Sequence, residues 1–368
     1  MLRPKPIVEN LSLCPHGGID YTELKAIGVS PQAIIDFSVS SNPFGPPPEI
    51  REALTDVNVE HYPDSESGEL KQALAAKLGV SPQNLIVGNG STELIRLAAL
   101  AYFGAGDTVL VPQFTFGEYE VACQLVGAQV LKQPMAEEVG LYLRVAEMCR
   151  LIGKYQPRGI FLCNPNNPTG QYLSRAEVEQ ILTAAKDSLV ILDEAYLAFT
   201  EDIWSSMDLV DCDNLVILRS MTKDYALAGL RLGYAVAAGP IISNLRRVQP
   251  PWDVNAVAQK AGLLALDADV YLNECLVKVQ EVKRFLTGEL TRLGLSPLPS
   301  RANFFLVRVG NAGEFRRALL ERGILVRDCT SFGLPEYVRL APGTLPECQS
   351  LIAAIESIGV LQKCQPGH

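Results

Sequence analysis

The sequence has little histidine, no excess of positive charge and no long hydrophobic run. It contains 3 His among 368 residues, and 41 acidic against 32 basic side chains leave a formal net charge of -9 at pH 7. No cluster of basic residues occurs along the chain. An acidic protein of this kind is poorly suited to the phosphate backbone of nucleic acid or to an anionic membrane surface. We therefore expect neither nucleic acid nor a membrane among its partners.

Targeting and membrane-spanning segments are also missing. The N-terminal sequence MLRPKPIVENLSLCPHGG contains no apolar core of a secretory signal. No stretch of about 18 uncharged apolar residues occurs, and roughly that length is needed to cross a bilayer. The sequence predicts a soluble, cytoplasmic protein.

Cysteine pairs with the spacing of a metal or redox site are absent as well. The chain has nine cysteines, an odd number, and none of them forms a C-x-x-C pair. Only three histidines are available as further metal ligands, so the sequence predicts reduced thiols and no metal site. The cysteines are Cys14, Cys123, Cys149, Cys163, Cys212, Cys275, Cys329, Cys348 and Cys364.

What the sequence does contain is the composition and periodicity of a globular α/β enzyme. Hydrophobic residues make up 48% and charged residues 20%, which is typical of a packed domain. Short apolar runs alternate with helical stretches, a pattern that indicates buried parallel strands. The predicted strands cover 84–87, 108–111, 159–163, 189–192, 215–218 and 234–238. The predicted helices cover 49–57, 68–78, 91–103 and a long stretch over 255–293.

Proline-rich segments divide the chain into predicted domains. NPFGPPP (42–48) must be extended, because consecutive prolines remove backbone donors and disfavour helix. Proline pairs near 250 and 298 bracket the long helical stretch, and NFFLVRV and GILVR after it have the pattern of strands. We expect residues 1–50 to form an N-terminal arm and part of a small domain, 51–265 a large domain, and 266–368 the small C-terminal domain.

Three segments place reactive side chains just after predicted strands. NPNNPTG (164–170), DEAY (193–196) and RSMTK (219–223) each follow one of the apolar runs. In open α/β sheets, ligands bind beyond the carboxyl ends of the strands. Asn167, Asp193, Ser220 and Lys223 are therefore candidate site residues.

A lysine, a carboxylate and nearby hydroxyl groups are what pyridoxal phosphate requires. The cofactor needs an amine for a Schiff base, which Lys223 supplies, and a carboxylate that keeps its ring nitrogen protonated, which Asp193 supplies. A cationic ring beside Asp193 would lower the pKa of that carboxyl. Tyr196 and Asn167 are candidate partners of the ring oxygen.

The phosphate of the cofactor has its own candidates. Gly90, Ser91 and Thr92, in GNGST, lie at the predicted start of a helix, where free backbone N–H groups bind anions. The other candidates are Ser220, Thr222 and Arg231. GNG also resembles part of a dinucleotide-binding fingerprint, but the third glycine is absent and the segment lies about ninety residues into the chain, which argues against that alternative.

The combination of NPNNPTG, DEAY, SMTK and AGLRLGY resembles the fold type I pyridoxal-phosphate enzymes, specifically the class I/II aminotransferases, over nearly the whole chain. The resemblance implies an α/β fold, with a large domain built on a mainly parallel central sheet and a smaller α/β domain. It implies Lys223 as the cofactor lysine, Asp193 as the pyridinium partner and Tyr196 as a third catalytic group.

The resemblance also assigns two aromatic residues and a quaternary state. Phe114, in PQFTFGEYE, corresponds to the aromatic side chain that the family stacks on the cofactor ring. Tyr62, in HYPD, matches the tyrosine that family dimers send to the phosphate of the neighbouring subunit. A homodimer with shared active sites is therefore expected.

Two subfamilies, both acting on phosphorylated amino compounds, resemble the chain. NPTG, DEAY and RLAPGT are similar to histidinol-phosphate aminotransferases, whereas HGGI, DFSVSSNPFGPPP and RDCTSFGLPEYVRLA are similar to threonine-phosphate decarboxylases. Ile19, Ser41 and Tyr196 depart from the decarboxylase pattern. We favour decarboxylation of L-threonine O-3-phosphate to (R)-1-aminopropan-2-yl phosphate for the cobalamin side chain. The alternative is transfer of an amino group from histidinol phosphate or an aromatic amino acid to 2-oxoglutarate.

Candidate substrate-binding residues come from both ends of the chain. Guanidinium groups bind carboxylate or phosphate with two parallel hydrogen bonds. The resemblance assigns the substrate carboxylate to Arg339 and the phosphate to Arg327, the latter with His16 and the amide of Gly17. Asn42 and Asn167 complete the set. A ligand-sensing domain of the same fold is disfavoured, because no helix-turn-helix segment precedes the fold and Lys223 and Asp193 are retained.

Overall fold

The computed structural model describes residues 2–9, 11, 14–135 and 140–359. The strands are β1 (Ile35–Asp36), β2 (Leu85–Gly88), β3 (Thr108–Pro112), β4 (Gln129–Gln133), β5 (Gly159–Cys163), β6 (Leu189–Asp193), β7 (Leu215–Ser220), β8 (Gly233–Ala237), β9 (Phe305–Arg308), β10 (Ile324–Leu325), β11 (Arg327–Asp328) and β12 (Tyr337–Leu340). The helices are α1 (Pro6–Glu9), α2 (Tyr21–Ile27), α3 (Pro48–Ala53), α4 (Gly68–Leu78), α5 (Ser91–Tyr102), α6 (Glu118–Leu125), α7 (Val145–Tyr155), α8 (Arg175–Ala184), α9 (Gly239–Val248), α10 (Ala256–Leu266), α11 (Asp269–Arg292), α12 (Ala312–Leu320) and α13 (Leu345–Ser357).

A seven-stranded sheet with the order β2-β8-β7-β6-β5-β3-β4 forms the centre of the molecule. The expected α/β class with a mainly parallel sheet is confirmed. The prediction that 234–238 is a parallel strand is wrong, because β8 runs antiparallel to both β7 and β2. The connection from β7 to β8 has no crossover helix, and without such a crossover a chain returns antiparallel.

The strands are buried on both faces, which explains their continuous apolar runs. Side chains of Leu110, Ile160 and Val190 pack on one face under α4, α7, α8 and α10. The alternate residues Val109 and Phe161 pack on the other face under α5, α6 and α9. Strand β4 was not predicted, because it lies at the sheet edge and its sequence QVLKQ lacks the apolar run of the inner strands.

The long helical stretch expected over 255–293 is two helices, α10 and α11, with a break at residues 267 and 268. The amide of Asp267 still donates to the carbonyl of Leu264, at 3.3 Å, as the last turn of α10 closes. The expected helix over 49–57 is also shorter, since α3 ends at Ala53 and a 3₁₀ turn follows it.

A small second unit forms from both ends of the chain. Strand β1 pairs in parallel with β10, and β11, β12 and β9 form an antiparallel sheet. Phe37 is held between them, since its amide donates to Leu325 and its carbonyl accepts from Ala341. The N-terminal segment thus packs with the C-terminal elements, while the exact domain limits stay a prediction. Among the described residues, no helix has both the length and the apolar character that crossing a membrane would require.

Candidate active site

A cavity of about 330 Å³ lies where the carboxyl ends of β5, β6 and β7 meet the small sheet. This volume lies within the range of small-molecule sites. Twelve of the predicted site residues line it: His16, Gly17, Ser91, Thr92, Asn167, Asp193, Tyr196, Thr222, Lys223, Arg231, Arg327 and Arg339. We call the part around Asp193, Tyr119 and Lys223 the sheet end, and the part around His16, Gly17, Arg327 and Arg339 the arm end.

The carboxylate of Asp193 is held at the last position of β6, where its side chain is 3% exposed. The Tyr119 hydroxyl donates to its Oδ2 at 2.8 Å, and the Ala195 amide donates to its Oδ1 at 3.0 Å. Burial raises the pKa of Asp193 to about 6, although both hydrogen bonds act in the opposite direction. A cation in the cavity would restore the ionised form, so the site is suited to a cationic partner.

Tyr119 was not among the residues predicted from the sequence. It lies in the first turn of α6, stacks on Phe161 and is separated from Asp193 by 74 positions. The motif PQFTFGEYE carries no signal for this contact, because only the packing of α6 against the central sheet brings the hydroxyl to the carboxylate.

The amine of Lys223 enters the cavity from the loop after β7 and lies 5.9 Å from the centre of the Tyr196 ring. Burial lowers the pKa of Lys223 to about 8, and the neighbouring charges of Arg339 and Arg231 act in the same direction. An amine of lowered pKa is a nucleophile near neutral pH. Asn42 lies behind this loop and not on the cavity wall, since its amide donates to the Lys223 carbonyl at 2.8 Å.

Backbone amides and a guanidinium converge beside the start of α5. Gly90 has a φ of 79°, and a Cβ at this position would lie 2.7 Å from the Arg231 guanidinium. A Cβ at Gly233 would lie 2.8 Å from the Ser91 nitrogen. Because both residues are glycines, the space between Gly90, Ser91 and Arg231 stays open for an anion at the positive end of α5. We call this space the cradle. Thr222 lines the cavity, and its hydroxyl lies 2.7 Å from that of Ser220. Ser220 itself borders a second cavity and not this one.

These sheet-end residues fit pyridoxal phosphate. A nucleophilic amine, a carboxylate suited to a cation and a cradle suited to a phosphate all border one cavity. Tyr196 adds a buried phenol, and burial raises its pKa to about 12, so it stays a hydrogen-bond donor. Of the residues that the sequence predicted for the cofactor, the structure brings eight to this cavity wall: Ser91, Thr92, Asn167, Asp193, Tyr196, Thr222, Lys223 and Arg231.

Two arginines lie side by side at the arm end. The antiparallel register of β11 and β12 pairs Arg327 directly with Arg339. Arg339 is 5% exposed, and its guanidinium donates to the Asn167 side chain and to the Ser38 carbonyl. Its Nε has no hydrogen-bond partner within the described part of the chain. Two buried like charges with an unsatisfied donor indicate an anion-binding position.

Arg327 connects this position to the N-terminal arm. Its Nη2 donates to the Pro15 carbonyl and to the Ser331 hydroxyl, both at 2.7 Å. Burial, together with the charge of Arg339, lowers the pKa of Arg327. An anion between the two guanidinium groups would offset both effects.

His16 and Gly17 bring the arm over the cavity. The His16 Nε2 lies 3.1 Å from the Glu118 carboxylate, and the His16 side chain is 52% exposed. Gly17 packs so closely on the Ser38 carbonyl that any side chain there would collide with it. Their placement on the wall leaves the imidazole and the Gly17 amide near the two arginines.

Two predicted aromatic residues do not line this cavity. Phe116, and not Phe114, is on its wall, where it packs edge-on against Tyr119. Phe114 belongs instead to the hydrophobic core, because the turn after β3 directs the two phenylalanines differently. Tyr62 lies outside the cavity of its own chain, is 78% exposed and stacks on Trp252 with ring centres 4.4 Å apart.

Comparison with known proteins shows which family the chain matches and which proteins are similar to it. The family Aminotransferase class I and II matches residues 32–355. The chain is 37% identical over 333 residues to histidinol-phosphate aminotransferase of Moorella thermoacetica, which covers 88% of this chain and 85% of the relative.

Two solved structures that share this fold are described as different enzymes. Histidinol-phosphate aminotransferase of Sinorhizobium meliloti, in complex with pyridoxal-5'-phosphate, matches with a TM-score of 0.86 at 24% identity and covers 99% of both chains. L-threonine-O-3-phosphate decarboxylase of Porphyromonas gingivalis matches with a TM-score of 0.78 at 30% identity and covers 88% of this chain and 99% of that chain.

Proposed function

This chain belongs to the class I and II aminotransferase family and is a pyridoxal-phosphate-dependent enzyme, and we propose that it transfers the amino group of histidinol phosphate, or of a similar phosphorylated amine, to 2-oxoglutarate. The observation that carries the proposal is the match to curated histidinol-phosphate aminotransferases over most of the chain. These relatives favour transamination over the decarboxylation preferred from the sequence motifs.

When bound, the cofactor supplies an electron sink for the carbon that carries the substrate amine. Lys223 would hold it through its amine and Asp193 through its carboxylate. Ser91, Thr92 and Arg231 would bind its phosphate. Tyr119 keeps the carboxylate of Asp193 oriented and hydrogen-bonded.

The proton step belongs to Lys223. Its Nζ takes the proton from the carbon that bears the substrate amine, and in the second half-reaction it delivers a proton to the 2-oxo carbon of 2-oxoglutarate, which becomes the amine-bearing carbon of glutamate. The pKa of about 8 supports this role, because an amine that titrates near neutral pH can both accept and release a proton.

The arm end selects the substrate. Arg327, His16 and the Gly17 amide bind the phosphate of the amino donor, which is remote from the reacting carbon and therefore contributes mainly to binding. Arg339 binds a carboxylate of 2-oxoglutarate, and its unpartnered Nε supplies a donor for that bond. The paired guanidinium groups of Arg327 and Arg339 suit the phosphate of the amino donor and a carboxylate of 2-oxoglutarate, which bind in turn.

Incubation of the purified protein with histidinol phosphate and 2-oxoglutarate tests the proposal. We expect glutamate to form in proportion to the histidinol phosphate consumed. Omission of 2-oxoglutarate should limit turnover to a single half-reaction. Absence of glutamate from an otherwise cofactor-loaded protein would overturn the proposal.

Decarboxylation of threonine phosphate is the second candidate. The sequence of the threonine-phosphate decarboxylase of Porphyromonas gingivalis is 30% identical to this chain, against 24% for the histidinol-phosphate aminotransferase of Sinorhizobium meliloti. The same two arginines suit its substrate, which carries both a phosphate and a carboxylate. Release of carbon dioxide from threonine phosphate without any 2-oxo acid would establish this candidate in place of the first.

The enzyme acts as a homodimer in which Tyr62 completes the site of the other subunit. Tyr62, Trp252 and Val59 are exposed large hydrophobic side chains outside the cavity of their own chain, which supports burial against a second copy. Mixed dimers of Lys223→Ala and Tyr62→Phe chains test this arrangement. They regain activity only if the tyrosine serves the partner's site, provided that Tyr62→Phe alone is strongly impaired.

A further inference from the structure

A thiol, an imidazole and a carboxylate meet at the arm end of the cavity. The ligand atoms of Cys14, His16 and Glu118 all lie within 4.8 Å of one another. Cys14 and His16 belong to the N-terminal arm, and Glu118 is the first residue of α6, 102 positions from His16. We propose that these three side chains form a binding site for one Zn²⁺ ion, which fastens the N-terminal arm to α6 beside the cavity.

The donor set is the reason for choosing Zn²⁺. Thiolate sulfur, imidazole nitrogen and carboxylate oxygen are its usual protein ligands, whereas Mg²⁺ and Ca²⁺ prefer oxygen alone. Three protein ligands also leave one position of a tetrahedral site open to water or an anion. The sequence predicts no metal site because it has no C-x-x-C pair and only three histidines, whereas this cluster joins Cys14 and His16 to a carboxylate more than a hundred positions away.

The Glu118 carboxylate is placed so that one of its oxygens can reach an ion. Glu118 is buried, at 6% exposed, between His16 and Arg96. Oε1 of Glu118 faces His16 and Oε2 faces Arg96, at 3.3 Å. One oxygen therefore stays with the arginine while the other is available to an ion.

The thiol of Cys14 is the ligand that must change. Binding forms a Zn–S bond from the sulfur lone pair and releases the thiol proton to water, so that one proton leaves per ion bound. Affinity should therefore rise with pH, because fewer protons compete with the ion for the sulfur.

An ion bound beside the cavity would change how the N-terminal arm is held. Cys14, His16 and Gly117 are all on the cavity wall. An ion held there takes the Nε2 of His16 as a ligand, which removes that atom from substrate binding, and cross-links two segments that otherwise meet through the His16–Glu118 contact.

Zn²⁺ titration of the full-length, cofactor-loaded protein against a chromogenic chelator tests the site without any substrate. We expect one ion per chain, with the affinity lowered at least about tenfold in Cys14→Ser, His16→Asn and Glu118→Gln. Cys149→Ser and His61→Asn are matched controls, because they remove the same ligand types outside the cluster and should leave the titration unchanged.

Co²⁺ provides a second, spectroscopic readout. The wild-type protein should develop the visible bands of tetrahedral Co²⁺ at wavelengths longer than the cofactor absorbs, and Cys14→Ser should lose the thiolate contribution. His16 is largely exposed, so His16→Asn remains informative if Cys14→Ser folds poorly. Failure of the wild-type protein to bind Zn²⁺, or binding that the cluster variants and the controls affect equally, would refute the site. Neither outcome bears on transamination, which is measured separately.

Discussion

At the sheet end of the cavity, Asp193 is the last residue of β6 and Lys223 lies in the loop just after the adjacent β7, whereas at the arm end His16 belongs to the N-terminal segment and meets Glu118 through its side chain. Asp193 is 3% exposed and the His16 side chain is 52% exposed. A buried side chain has little room to move, while a half-exposed one on an N-terminal segment has more. Arg327 and Arg339 are buried on strands, so this freedom at the arm end belongs to the His16 segment. The sheet end therefore suits the chemistry common to the family, and the arm end suits the choice of substrate.

The largest expected effect is at the sheet end. Lys223→Ala removes the amine that we propose both holds the cofactor and moves the proton, so activity should fall by at least about 10³-fold. The absorbance of cofactor bound covalently to the lysine should be lost in the same variant. Both losses can be measured on one purified sample.

Lys283 offers a matched control for this variant. Its pKa is also lowered to about 8 by burial, but its amine donates to the carbonyls of Ser300 and Ala302 outside the cavity. Lys283→Met should retain the cofactor absorbance. A similar loss of absorbance in both variants would mean that the loss does not depend on the position of Lys223.

Next in size is the loss of Arg339. Arg339→Ala removes a buried guanidinium that we propose binds a substrate carboxylate. Losing hydrogen bonds to a charged group of this kind should lower kcat/KM by roughly a hundredfold. Arg339→Lys should recover little, because an ammonium cannot make two parallel hydrogen bonds. Kinetics with 2-oxoglutarate as the varied substrate measure the effect. Full recovery by lysine would contradict the bidentate role.

The pKa of Lys223 predicts how fast cofactor-free protein takes up pyridoxal phosphate. Only the neutral amine attacks an aldehyde, so uptake should slow by roughly tenfold for each pH unit below 8 and level off above it. Stopped-flow absorbance of the protein mixed with the cofactor measures the rate. An unperturbed lysine has a pKa of about 10.4. If the uptake rate still rises between pH 9 and that value, burial does not activate this amine.

Tyr119→Phe should have a smaller effect and one that depends on pH. The hydroxyl stabilises the carboxylate form of Asp193, so its removal raises the pKa of that carboxyl further above its ordinary value. Activity should fall by about tenfold at neutral pH, and the acidic limb of the pH profile should move to higher pH. Tyr102→Phe is the control, because it removes a hydroxyl that contacts Asn244 away from the cavity. An unchanged acidic limb would rule out positioning of Asp193 by Tyr119.

The same division separates what the sequence could and could not predict. Asp193 and Lys223 were found because each follows an apolar run, and the carboxyl ends of neighbouring parallel strands meet at one edge of a sheet. The family resemblance found from the motifs is confirmed by the match over residues 32–355. These features are local in the sequence, so they could be identified without tertiary structure.

Other features depend on packing between distant segments. The pairing of Arg327 with Arg339 and the Tyr119 bond to Asp193 each follow from contacts that no local pattern specifies. Whether Phe114 or Phe116 reaches the cavity depends on how one turn leaves β3. The meeting of Cys14, His16 and Glu118 depends on where the arm crosses α6, for which the sequence carries no signal.

The smallest expected effect is at the arm end, where His16 is changed. His16→Asn removes one hydrogen bond to a phosphate that is remote from the reacting carbon, so the KM for histidinol phosphate should rise by roughly three- to tenfold while kcat changes little. The assay includes a metal chelator, which keeps any effect of bound Zn²⁺ out of the result. Histidinol, which lacks the phosphate, is the matched substrate, and with it the wild type and the variant should perform alike. A fall in kcat with both substrates would instead place His16 among the groups that organise the reacting carbon, and the contrast between a fixed sheet end and an adjustable arm end would not hold.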